Sequence, residues 1–124
     1  MGGALTPGEL VIDLGAGYGR LGLVLKWFYP EIKFCGFELV NERVNEGNRI
    51  YSLNDCLNSQ LIQKNLTSED FVLPEADVYL IYDYDEISHI RKTLQQIEKI
   101  ADHKRLKVIG RGQGTRSLIE NEHP

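Results

Sequence analysis

The segment Asp13-Leu14-Gly15-Ala16-Gly17-Tyr18-Gly19 joins one acid to three alternating glycines, beginning within the almost wholly apolar run Leu10–Leu14. Glycines there permit a left-handed backbone in a tight turn and let a ligand approach bare main chain. A second acid, Glu38, closes the next apolar run. A carboxylate in that position accepts a hydrogen bond from each hydroxyl of a ribose. Further along, Tyr82-Asp83-Tyr84-Asp85-Glu86 gathers two aromatics and three acids. The first two groups point to capture of a nucleotide-like cofactor, and the third to a place where a second substrate is oriented.

Two cofactor classes use such a glycine loop. Gly17-Tyr18-Gly19-Arg20-Leu21-Gly22 formally satisfies the dinucleotide pattern G-x-G-x-x-G, which would imply an NAD(P) site. Its phase is wrong, because Gly15 ends the strand and Arg20 then fills the third glycine position. Charge separates the classes further. A diphosphate above Asp13, at about 5 Å and an effective dielectric of about 20, meets a repulsion of roughly 3 kcal/mol per charge pair. A sulfonium cofactor with a free ammonium group reverses that sign, so S-adenosylmethionine (SAM) suits the acid.

The elements that must position these residues follow from periodicity. Leu10–Leu14 reads as a strand buried on both faces. Arg20–Tyr29 reads as a helix with Leu21, Val24, Leu25 and Phe28 on its apolar face, stopped by Pro30. Trp27, Phe28 and Tyr29 are expected to pack in this helix rather than stack on a base. Ile32–Leu39 is the second strand, and Asn41–Leu53 a polar helix with a thin stripe of Val44, Ile50 and Leu53. Leu61–Leu66, Ala76–Tyr82 and Leu106–Gly110 supply three more strands. Glu86–Ala101 is a helix with Ile87, Ile90, Leu94, Ile97 and Ile100 on one face, and another helix is expected to begin near Thr115. Strands alternating with helices imply an α/β doubly wound, mostly parallel sheet, with ligands beyond the carboxyl ends of the strands.

Val11-Ile12-Asp13-Leu14-Gly15-Ala16-Gly17-Tyr18-Gly19 resembles the D-x-G-x-G-x-G signature of class I SAM-dependent methyltransferases. Phe37-Glu38 resembles their second signature, and Ala76-Asp77-Val78 fits the lead into their fourth strand. The resemblance covers most of the chain and implies a Rossmann-like methyltransferase core. It implies that Asp13, the Gly15–Gly19 loop with Ala16 and Tyr18, and Glu38 bind SAM. It also implies that Leu39 packs on adenine, and that Asn65 and Leu66 meet the adenine edge, with Asp70-Phe71 as the alternative. On the acceptor side it assigns Asp83 to orientation or proton removal, with Tyr82 and Tyr84 as walls. Tyrosine faces attract ammonium groups, so a lysine-like acceptor fits. Asp85 and Glu86 are expected to cap the next helix.

The Asn/Asp-Pro-Pro-Tyr of many amino-directed family members is lacking, which argues against adenine or glutamine acceptors. The stretch Ala76–Tyr82 resembles small protein-lysine methyltransferases, so a protein lysine or a small molecule is the expected acceptor. The alternatives are an NAD(P)-binding domain, or a SAM-binding domain without catalysis that acts with a partner.

Fourteen basic and eighteen acidic side chains in 124 residues give a net charge of −4. No global field therefore draws the chain to nucleic acid or anionic membrane. No run is apolar enough to span a bilayer and no secretory signal is visible, so a cytoplasmic protein is expected. Cys35 and Cys56 form no metal-ligand spacing, and Asp83 with Asp85 lacks a third ligand, so no metal is expected. His89, His103 and His123 read as surface residues, while Arg111-Gly112-Gln113-Gly114 suits an acceptor contact or a plain loop. Residues 1–124 read as one domain of five strands without the family's C-terminal hairpin, minimal or truncated. The exposed apolar edge this would leave favours a homodimer.

Overall fold

A computed structural model describes residues 5–81 and 87–110. Within them the chain runs β1 (Leu10–Leu14), α1 (Arg20–Phe28), β2 (Lys33–Glu38), α2 (Asn41–Leu53), β3 (Ser59–Gln63), β4 (Val78–Ile81), α3 (Ile87–Ala101) and β5 (Lys107–Gly110). The strands form one sheet in the order β3-β2-β1-β4-β5, and every neighbouring pair is parallel. Strand order reverses between β1 and β4, so a crevice opens beyond the carboxyl end of β1.

Alternation along β1 explains why its sequence is apolar apart from Asp13. Val11 joins Leu25 of α1 and Val44 and Tyr51 of α2 on one face, while Ile12 and Leu14 join Ile90, Leu94, Ile97 and Ile100 of α3 on the other. Helices thus cover both faces, as the sequence pattern implied. The connection from β3 to β4 carries no helix. Instead Phe71 packs edge-to-face on Phe37 at 5.8 Å, and the buried Leu73 donates its N–H to Gln96 Oε1 at 3.1 Å.

Three elements depart from the sequence reading. β3 lies earlier than Leu61–Leu66 because it is an edge strand, where polar Ser59 and Gln60 take the ladder without needing burial. The buried stripe of α2 is Val44, Gly47 and Tyr51 rather than Val44, Ile50 and Leu53, since the glycine admits a close neighbour. On α1 the buried pair is Gly22 and Leu25, while Trp27 and Phe28 are 72% and 73% exposed.

Asn48 of α2 closes the outer margin of β3. Its amide donates to Leu61 O at 3.0 Å and accepts from Leu61 N–H at 2.9 Å. At the opposite end of the sheet, Asp77 fastens three strand starts. Its Oδ2 accepts from Leu10 N–H at 2.8 Å, its carbonyl accepts from Lys107 N–H at 2.9 Å, and Lys104 Nζ lies 3.0 Å from Oδ1.

The Leu10 N–H bond, with Lys104 adding to it, holds the Asp77 carboxyl below its ordinary value of 3.8. A depressed folded-state value means that the contribution is full above the unfolded value and is lost as pH falls through the folded one. Asp77→Asn is therefore expected to lower unfolding stability by about 1–2 kcal/mol at neutral pH. The difference should close as denaturation curves are collected at pH values below 3.8. A constant difference across that range would show that charge plays no part.

Candidate functional site

The loop after β1 is built by three left-handed glycines, with φ of 84° at Gly15, 60° at Gly17 and 76° at Gly19. Side-chain-bearing residues seldom adopt that conformation, so the alternation in the sequence is a backbone requirement. The end of β2 receives the loop. Phe37 O accepts from both Gly15 N–H at 2.9 Å and Ala16 N–H at 3.0 Å, and Gly19 N–H turns back to Ala16 O at 3.0 Å. Gly36 makes room beneath, since a Cβ there would stand 2.5 Å from that of Ala16.

Glu38 completes the attachment. Although only 6% exposed, it accepts from Gly17 N–H at 2.8 Å through Oε1 and from Val40 N–H at 2.9 Å through Oε2. Arg43 Nη1 lies 3.7 Å from Oε2, and its guanidinium sits 5.9 Å from the Tyr18 ring centroid. Each carboxylate oxygen has acceptor capacity beyond one bond, so Glu38 retains room for two further donors.

Two clefts meet at Gly15. One, of about 430 Å³, is lined by Phe37, Glu38, Leu39, Asn65 and Leu66 among others. The other, of about 290 Å³, is lined by Asp13, Ala16, Tyr18 and Arg20. The structure therefore gathers Asp13, the glycine loop, Glu38, Leu39, Asn65 and Leu66 around one crevice at the strand-order reversal. Asn65 Oδ1 already accepts from Thr67 N–H at 3.0 Å and Thr67 Oγ1 at 2.7 Å, which fills its acceptor sites. Asp70 lines a neighbouring opening that shares Leu39 and Asn65 with the first cleft. Tyr82, Asp83 and Tyr84, with the capping pair Asp85 and Glu86, lie outside the described residues, as do Arg111–Gly114 and His123.

Sequence reasoning missed Tyr51. Its hydroxyl donates to Gly19 O at 2.5 Å, and its ring fills the space that Gly19 and Gly22 leave open. A Cβ on Gly22 would stand 2.7 Å from Tyr51 Cζ. Gly22, the last glycine of the apparent dinucleotide pattern, is thus required by a tyrosine and not by a diphosphate. The i, i+3, i+7 spacing of Val44, Gly47 and Tyr51 was the available signal, hidden because a glycine does not count as apolar. Burial pushes the Tyr51 phenol well above its ordinary value, and the fields of Cys56, Asp13 and Cys35 add to it, so the group stays a donor.

Among the described residues no cluster of three His, Cys, Asp or Glu side chains could hold a metal ion. No helix among them is long and apolar enough to cross a membrane. His103 is exposed and pairs with Glu75 at 3.0 Å, whereas His89 is half-buried.

Parallel strands, double-sided helices and a glycine-lined crevice at the reversal define a Rossmann-like α/β core. Its architecture is shared with solved methyltransferases. PKMT2 from Rickettsia typhi in complex with AdoHcy superposes with a TM-score of 0.66 at 20% identity, over 78% of this chain and 20% of that one. Coclaurine N-methyltransferase bound to N-methylheliamine and SAH gives 0.65 at 19% identity, over 77% and 28%. The (4+2) cyclase SpnF gives 0.62 at 15% identity, over 74% and 36%. The fold is that of the class I SAM-dependent methyltransferases. The chain spans between about a fifth and somewhat over a third of these proteins' lengths. No protein-family model and no curated protein matches the sequence.

Gly22→Ala tests the reading of the glycines. In a helix this change ordinarily stabilises by about 1 kcal/mol. Here the collision with Tyr51 should reverse the sign, with a loss of about 1–3 kcal/mol in denaturant unfolding. A gain in stability would show that the cradle is not tight.

Proposed function

We propose that this chain binds SAM and forms the cofactor-binding part of a SAM-dependent methyltransferase. Adenosine would lie in the Glu38 cleft, with Glu38 receiving the ribose hydroxyls and Leu39 against the base. The amino-acid end would lie in the Asp13 cleft, where the carboxylate attracts the ammonium group. When bound, SAM supplies an electrophilic methyl group. The chain's own task is to fix that group's position and exclude competing water.

The observation that carries this reading is the pair of clefts joined at Gly15, one holding Glu38 and the other Asp13. The loop's donors add to it. The N–H groups of Gly15, Ala16 and Gly17 are all spent on Phe37 and Glu38. A diphosphate would find those three donors turned inward and Asp13 near at hand. The structural neighbours crystallised with AdoHcy and SAH fit the same cofactor.

For the acceptor we propose an amine, on a protein lysine or a small molecule. The sequence Tyr82-Asp83-Tyr84 supports this, with two faces for an ammonium group and one carboxylate to orient it and take its proton. Coclaurine N-methyltransferase, a nitrogen methylating neighbour by name, is in keeping with that choice. A second reading is that this chain binds SAM without transferring its methyl group, and the presence of a (4+2) cyclase, SpnF, among the proteins that share the fold is in keeping with it. Release of labelled methyl groups onto protein and amine pools separates the two.

Calorimetric titration with S-adenosylhomocysteine and with NAD⁺ tests the cofactor. Micromolar binding of the first and none of the second is expected. Glu38→Ala should weaken binding by roughly 1–3 kcal/mol as ribose hydroxyls go unpaired, and Asp13→Asn should weaken it as well. NAD⁺ binding, or unchanged affinity in both variants, would overturn the assignment.

A further inference from the structure

We propose that Tyr51 is a positioning residue whose hydroxyl fixes the Tyr18–Gly19 arm of the glycine loop against the amino-acid half of the cofactor cleft. The inference rests on the SAM reading above and adds a residue that lines neither cleft. The first part of the loop is fastened to β2, through Phe37 O and the Glu38 carboxylate. Those attachments end at Gly17. Beyond it the loop must still carry Tyr18 along the Asp13 cleft and deliver Arg20, which also lines it, as the first residue of α1.

Tyr51 supplies the missing restraint from the other side. Its O–H donates to Gly19 O at 2.5 Å, a carbonyl that also accepts Gly22 N–H at 3.0 Å. Gly19 caps α1 with no side chain of its own, in a left-handed conformation with φ 76° and ψ 29°. The residue that starts the helix is thus held by a side chain from a different helix. The same face of α2 presses its Gly47 under Tyr18, where a Cβ would meet Tyr18 O at 2.6 Å. Asn48 ties that face to β3. A rigid support therefore carries the hydroxyl, and ordering of the arm precedes ligand binding, which reduces the entropy lost on association.

Tyr51→Phe in the full chain removes only the hydroxyl, and the retained ring still fills the glycine cradle. Two measurements are paired. Amide hydrogen exchange at Gly19 and Gly22 is followed without ligand, and affinities are measured for S-adenosylhomocysteine and for adenosine, which needs only the Glu38 cleft. Exchange at both amides should rise about tenfold, the scale of one hydrogen bond. Affinity for S-adenosylhomocysteine should fall about tenfold while that for adenosine stays within about twofold.

A packing role alone would lower the thermal midpoint and leave the ratio of the two affinities unchanged, which would overturn the proposal. Unaltered exchange at Gly19 and Gly22 would also overturn it. Failure of the unsubstituted protein to bind either ligand overturns the SAM reading itself, and is thereby distinguished from failure of the Tyr51 assignment alone.

Discussion

A buried carboxylate holding two backbone N–H groups is the interaction on which the site depends. Glu38 ends β2, yet it reaches the middle of the loop after β1 at Gly17 and the start of α2 at Val40. Taking a charge out of water is costly unless hydrogen bonds replace its hydration, and here both oxygens are engaged. The geometry of three separate segments is thereby referred to one point. Any ligand group that meets Glu38 also meets a loop whose position Glu38 has already set.

The second organising element is α2, which braces the crevice along its length. Its first turn follows the Val40 attachment, and Tyr51 reaches Gly19 about 15 Å further along the axis. Between them Gly47 and Asn48 contact the loop and β3. The glycines at positions 19, 22 and 47 belong to one packing problem, in which a phenol ring and a Leu61 side chain need backbone at close range. Preorganisation of this kind places the burden of order on the fold rather than on the ligand.

Much of the architecture was legible because its signals are strong. Leu10–Leu14 is apolar on both faces as a central strand must be, and Ile90, Leu94, Ile97 and Ile100 mark the buried side of α3 by spacing alone. The glycine loop and Glu38 stand out by residue type, and the strand-order reversal places them side by side. Other features were concealed for physical reasons. β3 begins with Ser59 and Gln60 because an edge strand tolerates polar residues. Tyr51 was hidden because its partners are glycine backbone, which carries no side-chain pattern. Trp27 and Phe28 were expected to pack, yet they face outward, since hydrophobic type alone does not fix which side of a short helix is buried.

Asn48 has a consequence for assembly. A side-chain amide that matches both the N–H and the C=O of Leu61 impersonates a neighbouring strand, so the β3 margin presents no template there for a visiting chain. Recruitment of a strand at that border would first have to evict the amide.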